Sequence, residues 1–246
     1  MSESKRAVVT GAARGIGQAT ALRLLAEGVE VLAVDRDAAG LAAVEAAGAT
    51  PLAVDLATEQ GVDAVATAAD GCDFLVNSHG IIRLRPLLET TRQDWHDLFA
   101  VNAESIFFLC QQVGPRLRPG GAIVNLSSVS AKLTSTAETA VYATTKTAIL
   151  AITRAFAYAL AAQDVRVNAV CPGITDTAMQ DAVLEEVAAL RGVDAQELSD
   201  ARNATVPMQR AATPAEIAGS IWFLLSPDSS YMTGEAMNVS GGLAMW

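Results

Sequence analysis

Seven short, mostly apolar runs separated by longer Ala- and Leu-rich stretches of helical period constrain this chain more than any other feature. The runs are AVVT (7–10), EVLAV (30–34), TPLAV (50–54), FLVN (74–77), AIVNLS (122–127), VRVNAV (165–170) and AMNV (236–239). A strand with one solvated face alternates apolar and polar residues, whereas a strand covered on both faces stays apolar along its length. Parallel strands need long crossovers, which helices supply. Helical segments read at about 15–27, 38–47, 59–69, 93–118, 140–163, 179–190 and 214–225. The pattern predicts one α/β domain over residues 1–246: a Rossmann-type doubly wound fold with a seven-stranded parallel sheet flanked by helices. Residues 175–213 are the least regular stretch and form a candidate substrate lid.

The formal charge of −10 argues against a nucleic-acid partner, because the few Lys and Arg residues are scattered rather than clustered. Cys72, Cys110 and Cys171 are widely spaced among apolar neighbours. They fit neither a disulfide framework nor a metal site and read as buried thiols in a reducing compartment. With only His79 and His96 in the chain, a histidine-based metal site is not expected. The N-terminus has no apolar stretch of signal-peptide length, and no later apolar run reaches membrane-spanning length without interruption. A cytoplasmic protein with no membrane partner is expected.

VVTGAARGIGQATALRLLAEG places Gly11, Gly15 and Gly17 between the first strand and a helix. Such a turn brings backbone close to a pyrophosphate, and the helix N-terminus offers unpaired N–H groups and a favourable dipole. The spacing G-x-x-x-G-x-G departs from G-x-G-x-x-G, and by itself it is equally a tight turn without a ligand. Asp35, ending the second strand, adds weight. An acidic side chain there accepts hydrogen bonds from the adenosine ribose and repels a 2′-phosphate, which favours NAD over NADP. Arg14 and Arg36 stand nearby, and either guanidinium could meet a 2′-phosphate. Asp55 after the third strand is either an adenine contact, an N-cap for the next helix, or both.

Tyr142 and Lys146, in VYATTK, share a helical face at i and i+4, which alone decides nothing. Together with TGAARGIG (10–17), Asp35, DL (55–56), NSHG (77–80), Asn102, Ser128, CPGITDT (171–177) and SYMTGEAMNVSGG (230–242), however, the chain resembles the classical short-chain dehydrogenase/reductase family over essentially its full length. The resemblance implies a nicotinamide dinucleotide, which Asp35 narrows to NAD as cofactor, and a secondary alcohol or ketone as the small-molecule substrate. It implies that Tyr142 is the general acid/base and that Lys146 lowers the phenol pKa while holding the nicotinamide ribose. Ser128 would orient the substrate oxygen, and Asn102 would hold a water that passes the proton onward. The cofactor would lie against Gly11, Arg14, Gly15, Ile16, Gly17, Asp35, Arg36, Asp55, Leu56, Asn77, Gly80, Tyr142, Lys146, Pro172, Gly173, Ile174, Thr175 and Thr177. The family's usual N-N-A-G is Asn77-Ser78-His79-Gly80 here. His79 is therefore either a substrate ligand or proton carrier, or a packed histidine bonded to its neighbours.

For the substrate, Ser130, Leu133, Thr139, Met179, Val206 and Met208 are candidate pocket residues, with Arg83, Arg85 and Arg202 near. Similarity to sugar-alcohol and vicinal-diol dehydrogenases of the family points to a polyol, sugar or vicinal diol. The alternatives are an NADPH-dependent 3-oxoacyl thioester reductase and a hydroxy-acid dehydrogenase, the latter if Arg202 pins a carboxylate. The two long helices at 93–118 and 140–163 carry more apolar surface than one sheet face needs. The family resemblance implies a homotetramer, with the apolar GGLAMW tail at a second interface.

Overall fold

The computed structural model describes residues 4–133 and 136–245. Among them, seven strands form one parallel sheet: β1 (Arg6–Thr10), β2 (Glu30–Asp35), β3 (Thr50–Ala53), β4 (Phe74–Asn77), β5 (Ala122–Leu126), β6 (Arg166–Pro172) and β7 (Ala236–Val239). Their order in the sheet is β3-β2-β1-β4-β5-β6-β7. The chain moves outward from β1 in one direction and then, from β4, in the other. All seven C-terminal ends therefore lie along one edge, with a crevice where the winding reverses between β1 and β4.

Side chains alternate across the sheet as the pleat requires. Ala7 and Val9, Phe74 and Val76, and Ala122 and Val124 pack on one face. Val8, Leu75 and Ile123 pack on the other. Both sets are buried, which is why the runs read as continuously apolar. The first face is covered by α1 (Gly15–Ala26), α2 (Ala42–Ala46) and α9 (Pro214–Leu225). The second is covered by α3 (Glu59–Ala68), α5 (Ser105–Val113) and α6 (Ala140–Leu160).

Three expectations need correction. The helix expected over 38–47 is the single turn α2. The helix expected over 93–118 is not continuous: α4 (Arg92–Phe99) passes through a π-helical turn at Ala100–Glu104 into α5, which ends in a 3₁₀ turn at Gly114–Arg116. Wide turns of this kind inside helices mark sites where one residue is re-aimed, and Asn102 is at the centre of this one. Finally, the stretch 175–213 holds two helices, α7 (Ala178–Arg191) and α8 (Ala195–Ala204). The second has the polar sequence AQELSDARNA, too weak in apolar period to be read as a helix, although Asp194 caps it by accepting from the Gln196 and Glu197 N–H groups.

No helix among the described residues is long and apolar enough to cross a membrane. The three cysteines are free and buried.

Candidate active site

A cavity of about 580 Å³ opens at the C-terminal ends of the strands, across the β1/β4 crevice. At one end lies the glycine turn. Gly17 packs so closely that a Cβ there would fall 2.0 Å from the Gly11 carbonyl oxygen. Gly11 adopts φ +69° and lies against the His79 backbone, so only glycine fits either position. Arg14 occupies the N-cap position of α1 without a capping side-chain bond, and the first turn has no acidic residue. Ile16 and Gly17 line the cavity, leaving a helix N-terminus with its positive end free for an anion.

Asp35 is fixed by two backbone donors, Ala13 N–H at 3.1 Å and Asp37 N–H at 3.0 Å. Its carboxylate lines the cavity beside Arg14 and Arg36. Asp55 also lines it, accepting from Ala57 N–H at 2.9 Å. Asp55 does not cap α3. Thr58 does, accepting from Gly61 N–H.

At the other end, α6 carries Tyr142 and Lys146 on one face, both lining the cavity. The Lys146 ammonium lies 5.6 Å from the Tyr142 ring centre and donates to the Leu126 carbonyl at 2.8 Å. Burial pushes Lys146 down to about 8. Burial likewise pushes the Tyr142 phenol up to about 12, offset in part by a hydrogen bond with Ser128. Desolvation is the largest influence on the phenol.

Ser128 follows β5 with extended backbone, and its Oγ accepts from Ser130 N–H. Its neighbour Ser127 instead donates to the Lys146 carbonyl at 2.8 Å, tying α6 to the end of β5. Ser130 does not line the cavity.

Of the other expected residues, Leu56, Gly80, Pro172, Gly173, Thr175 and Thr177 line the cavity, as does Gly15, whereas Asn77, Asn102 and Ile174 do not. Asn77 is buried and donates to Asn125 Oδ1 at 2.9 Å across the β4/β5 register. Asn102 sits behind Lys146. Its Oδ1 accepts from Ile81 N–H, and its Nδ2 donates to the Ile81 carbonyl and to Thr145 Oγ1. A Cβ on Gly80 would fall 3.3 Å from Asn102 Oδ1 and 3.4 Å from Lys146 Nζ, so Gly80 is the spacer between them. His79 is a packed histidine held by two hydroxyls, Thr10 Oγ1 at 2.6 Å and Ser105 Oγ at 2.7 Å. Burial pushes its imidazole down to about 3, with the Lys146 charge acting in the same direction.

A family model described as Enoyl-(Acyl carrier protein) reductase matches residues 11–244. The short-chain reductase protein NovJ of Streptomyces niveus is 39% identical, over 98% of this chain and 95% of its own length. Galactitol 2-dehydrogenase (L-tagatose-forming) of Cereibacter sphaeroides is 36% identical, over 98% and 95%. The solved structure of a single-substitution variant of actinorhodin polyketide ketoreductase with NADPH superposes with a TM-score of 0.90 at 31% identity, covering 100% of this chain and 99% of its own. The chain is a short-chain dehydrogenase/reductase.

As a member of that family it is an oxidoreductase that interconverts secondary alcohols and ketones with a nicotinamide nucleotide. The residues present fit such a cofactor. A glycine cradle and an uncapped helix N-terminus suit its pyrophosphate. The Ser78 hydroxyl is buried at the cavity wall, without a hydrogen-bond partner among the described residues, and can meet a ligand's polar atom.

Met179, Ala182, Val183 and Glu186 of α7 also line the cavity and form one of its walls. Val206 is buried away from it against Gly241. Arg83 and Arg85 are engaged by Asp94, and Arg83 also by Asp97, and neither lines the cavity. Arg202 lines a separate cavity of about 350 Å³ between α7 and α8, where it donates to Gln180 Oε1 at 2.9 Å. Met179 lines the cavity as expected, whereas the placements of Val206 and Arg202 were not readable from sequence, because they depend on how α7, α8 and the segment after them lie over the sheet.

Proposed function

We propose that this short-chain dehydrogenase/reductase uses NAD to oxidise a secondary alcohol of a polyol, sugar or vicinal diol. The observation that carries the cofactor choice is the Asp35 carboxylate, held at the adenosine end by two N–H donors. Two ribose hydroxyls can donate to such a carboxylate, whereas a 2′-phosphate would meet it as a like charge. NAD supplies the hydride acceptor. Tyr142, as phenolate, takes the hydroxyl proton, and Ser128 holds the substrate oxygen beside it. One of the three Lys146 donors reaches Leu126, leaving others for ribose hydroxyls, while its charge favours the phenolate. Asn102, bonded to both Ile81 and Thr145, holds the backbone behind the lysine where the proton leaves the pair.

A neutral substrate fits the wall. Among the described residues, the cationic side chains lining the cavity are Arg14, Arg36 and Lys146. Arg14 and Arg36 stand at the adenosine end, so no further cation awaits a substrate carboxylate, and Arg202 faces the other cavity. That weighs against a hydroxy acid. We take α7 and α8 as the substrate lid. The 1–246 chain acts as one unit of a homotetramer, a reading supported by Phe107 and Phe108 on α5, each more than a third exposed, and by Tyr158 on α6, 92% exposed. A monomer by size-exclusion chromatography with light scattering would refute it.

A second reading is an NADPH-dependent ketone or 3-oxoacyl thioester reductase. It is favoured by Arg14 and Arg36 beside Asp35 and by the reductase name of NovJ. Initial rates with NAD and NADP side by side, over polyols, sugars, vicinal diols, hydroxy acids and 3-oxoacyl thioesters, separate the two. Turnover with NAD on the neutral alcohols is expected. Activity confined to NADPH and thioesters would replace the first reading with the second.

A further inference from the structure

His79 takes no part in the steps above, yet it stands at the centre of a directional chain of hydrogen bonds. The Ser105 hydroxyl donates to the Val101 carbonyl at 2.6 Å. Its one proton is committed there, so it faces His79 Nε2 as an acceptor, and Nε2 must carry the ring proton. Nδ1 is then the bare nitrogen and accepts from Thr10 Oγ1 at 2.6 Å, the shorter of that hydroxyl's two contacts, the other being the Val76 carbonyl at 3.2 Å. Thr10 Oγ1 in turn accepts from Ser78 N–H at 3.1 Å. Polarity runs one way, from the end of β4 through Thr10 at the glycine turn, His79 and Ser105, into the π-helical turn at Val101. All three side chains are buried.

The next residues extend the same clamp. Gly80 rests against Lys146 Nζ and Asn102 Oδ1, and Ile81 is bonded through both its N–H and its carbonyl to Asn102. Residues 79–81 are thus pinned at both ends to the π-helical turn. On the opposite side, the Gly11 backbone packs directly on the His79 Cα. An alanine at 79 would leave the Thr10 and Ser105 hydroxyls facing each other across a void.

We propose that His79 is a positioning residue that locks the π-helical turn and Gly80 against Lys146, and so couples the glycine turn to the catalytic lysine. This rests on the reading of Tyr142 and Lys146 as the reacting pair. The ring stays neutral at working pH, so it acts through its two hydrogen bonds and not through charge. The titratable group facing His79 is Lys146. Those facing Lys146 are Tyr142 and Cys171.

The test uses full-length His79→Ala, His79→Gln and Ser105→Ala, with three readouts: NADH binding by fluorescence, kcat/KM for the alcohol, and the acid limb of its pH profile. A loosened Lys146 stabilises the phenolate less. His79→Ala should therefore lower kcat/KM by about tenfold and move the acid limb up by about one pH unit. The loss should fall on kcat more than on KM. His79→Gln should restore part of it, because its amide N–H can reach Ser105. Ser105→Ala keeps the ring but removes both its Nε2 acceptor and the onward bond to Val101, so it should reproduce the shift even if His79→Ala does not fold. Folded variants with an unchanged acid limb and unchanged kcat/KM would overturn the proposal. Activity surviving in Tyr142→Phe would instead refute the reacting pair, whatever the His79 variants do.

Discussion

Asp35→Ala is the substitution that bears most directly on cofactor choice. The carboxylate sits at the cavity wall with Ala13 N–H and Asp37 N–H on its two oxygens. A 2′-phosphate at the ribose would lie about 5 Å away, where a unit charge pair interacts by roughly 3 kcal/mol at an effective dielectric near 20. The phosphate carries nearly two charges, and partial exposure removes about half of the interaction, so a net penalty of roughly 3 kcal/mol remains. That corresponds to about a hundredfold in kcat/KM for NAD over NADP. Asp35→Ala removes the penalty and frees two backbone donors for the phosphate. It also takes from NAD the acceptor for its ribose hydroxyls. The assay is the initial rate of absorbance change at 340 nm against nucleotide concentration, with alcohol saturating. The ratio of kcat/KM values should fall by about two orders of magnitude. A ratio within threefold of wild type, or a wild-type enzyme that already prefers NADP, would show that Arg14 and Arg36 outweigh the carboxylate.

Tyr142→Phe keeps the ring and its packing and removes the proton carrier, so turnover should drop by about 10³-fold with NADH binding nearly unchanged. A variant within tenfold of wild type would exclude the phenol as the acid/base. The pH dependence follows from the same pair. Because the phenol is pushed up to about 12, the phenolate needed for oxidation is scarce at neutral pH and grows as pH rises. Lys146, pushed down to about 8, loses its charge above that pH and withdraws support from the phenolate. Alcohol oxidation should therefore climb from neutral pH and flatten above about 8, while ketone reduction, which needs the protonated phenol, should not climb. An oxidation rate independent of pH over that range would refute the assignment.

The fold was legible because its signal is local and repeated. The central strands β1, β4, β5 and β6 are buried on both faces, so each left a mostly apolar run, and the order of runs and helices specifies a parallel sheet. The glycine turn was equally legible, since the close approach of Gly17 to Gly11 admits no side chain. Asn102 and His79 were harder. Both residue types could be named, but the π-helical turn that aims Asn102 leaves no mark in an apolar period that continues from α4 into α5. For His79, the partners that decide between proton carrier and packed residue are Thr10 and Ser105, far from it in sequence and adjacent only once β1, β4 and α5 meet. Tyr142 and Lys146 could be paired by helical spacing, yet the desolvation that dominates both groups comes from burial, which spacing does not report.

The sequence by itself therefore determined the doubly wound sheet, the glycine turn, the acidic residue after β2 and the Tyr142–Lys146 spacing, all features set by neighbours along the chain. The tertiary structure alone decided which side chains line the cavity, that Arg202 faces a separate one, and that His79 is packed between two hydroxyls. Those depend on packing between segments distant in sequence, where burial and the partner across the gap, rather than residue type, set hydrogen bonding and charge.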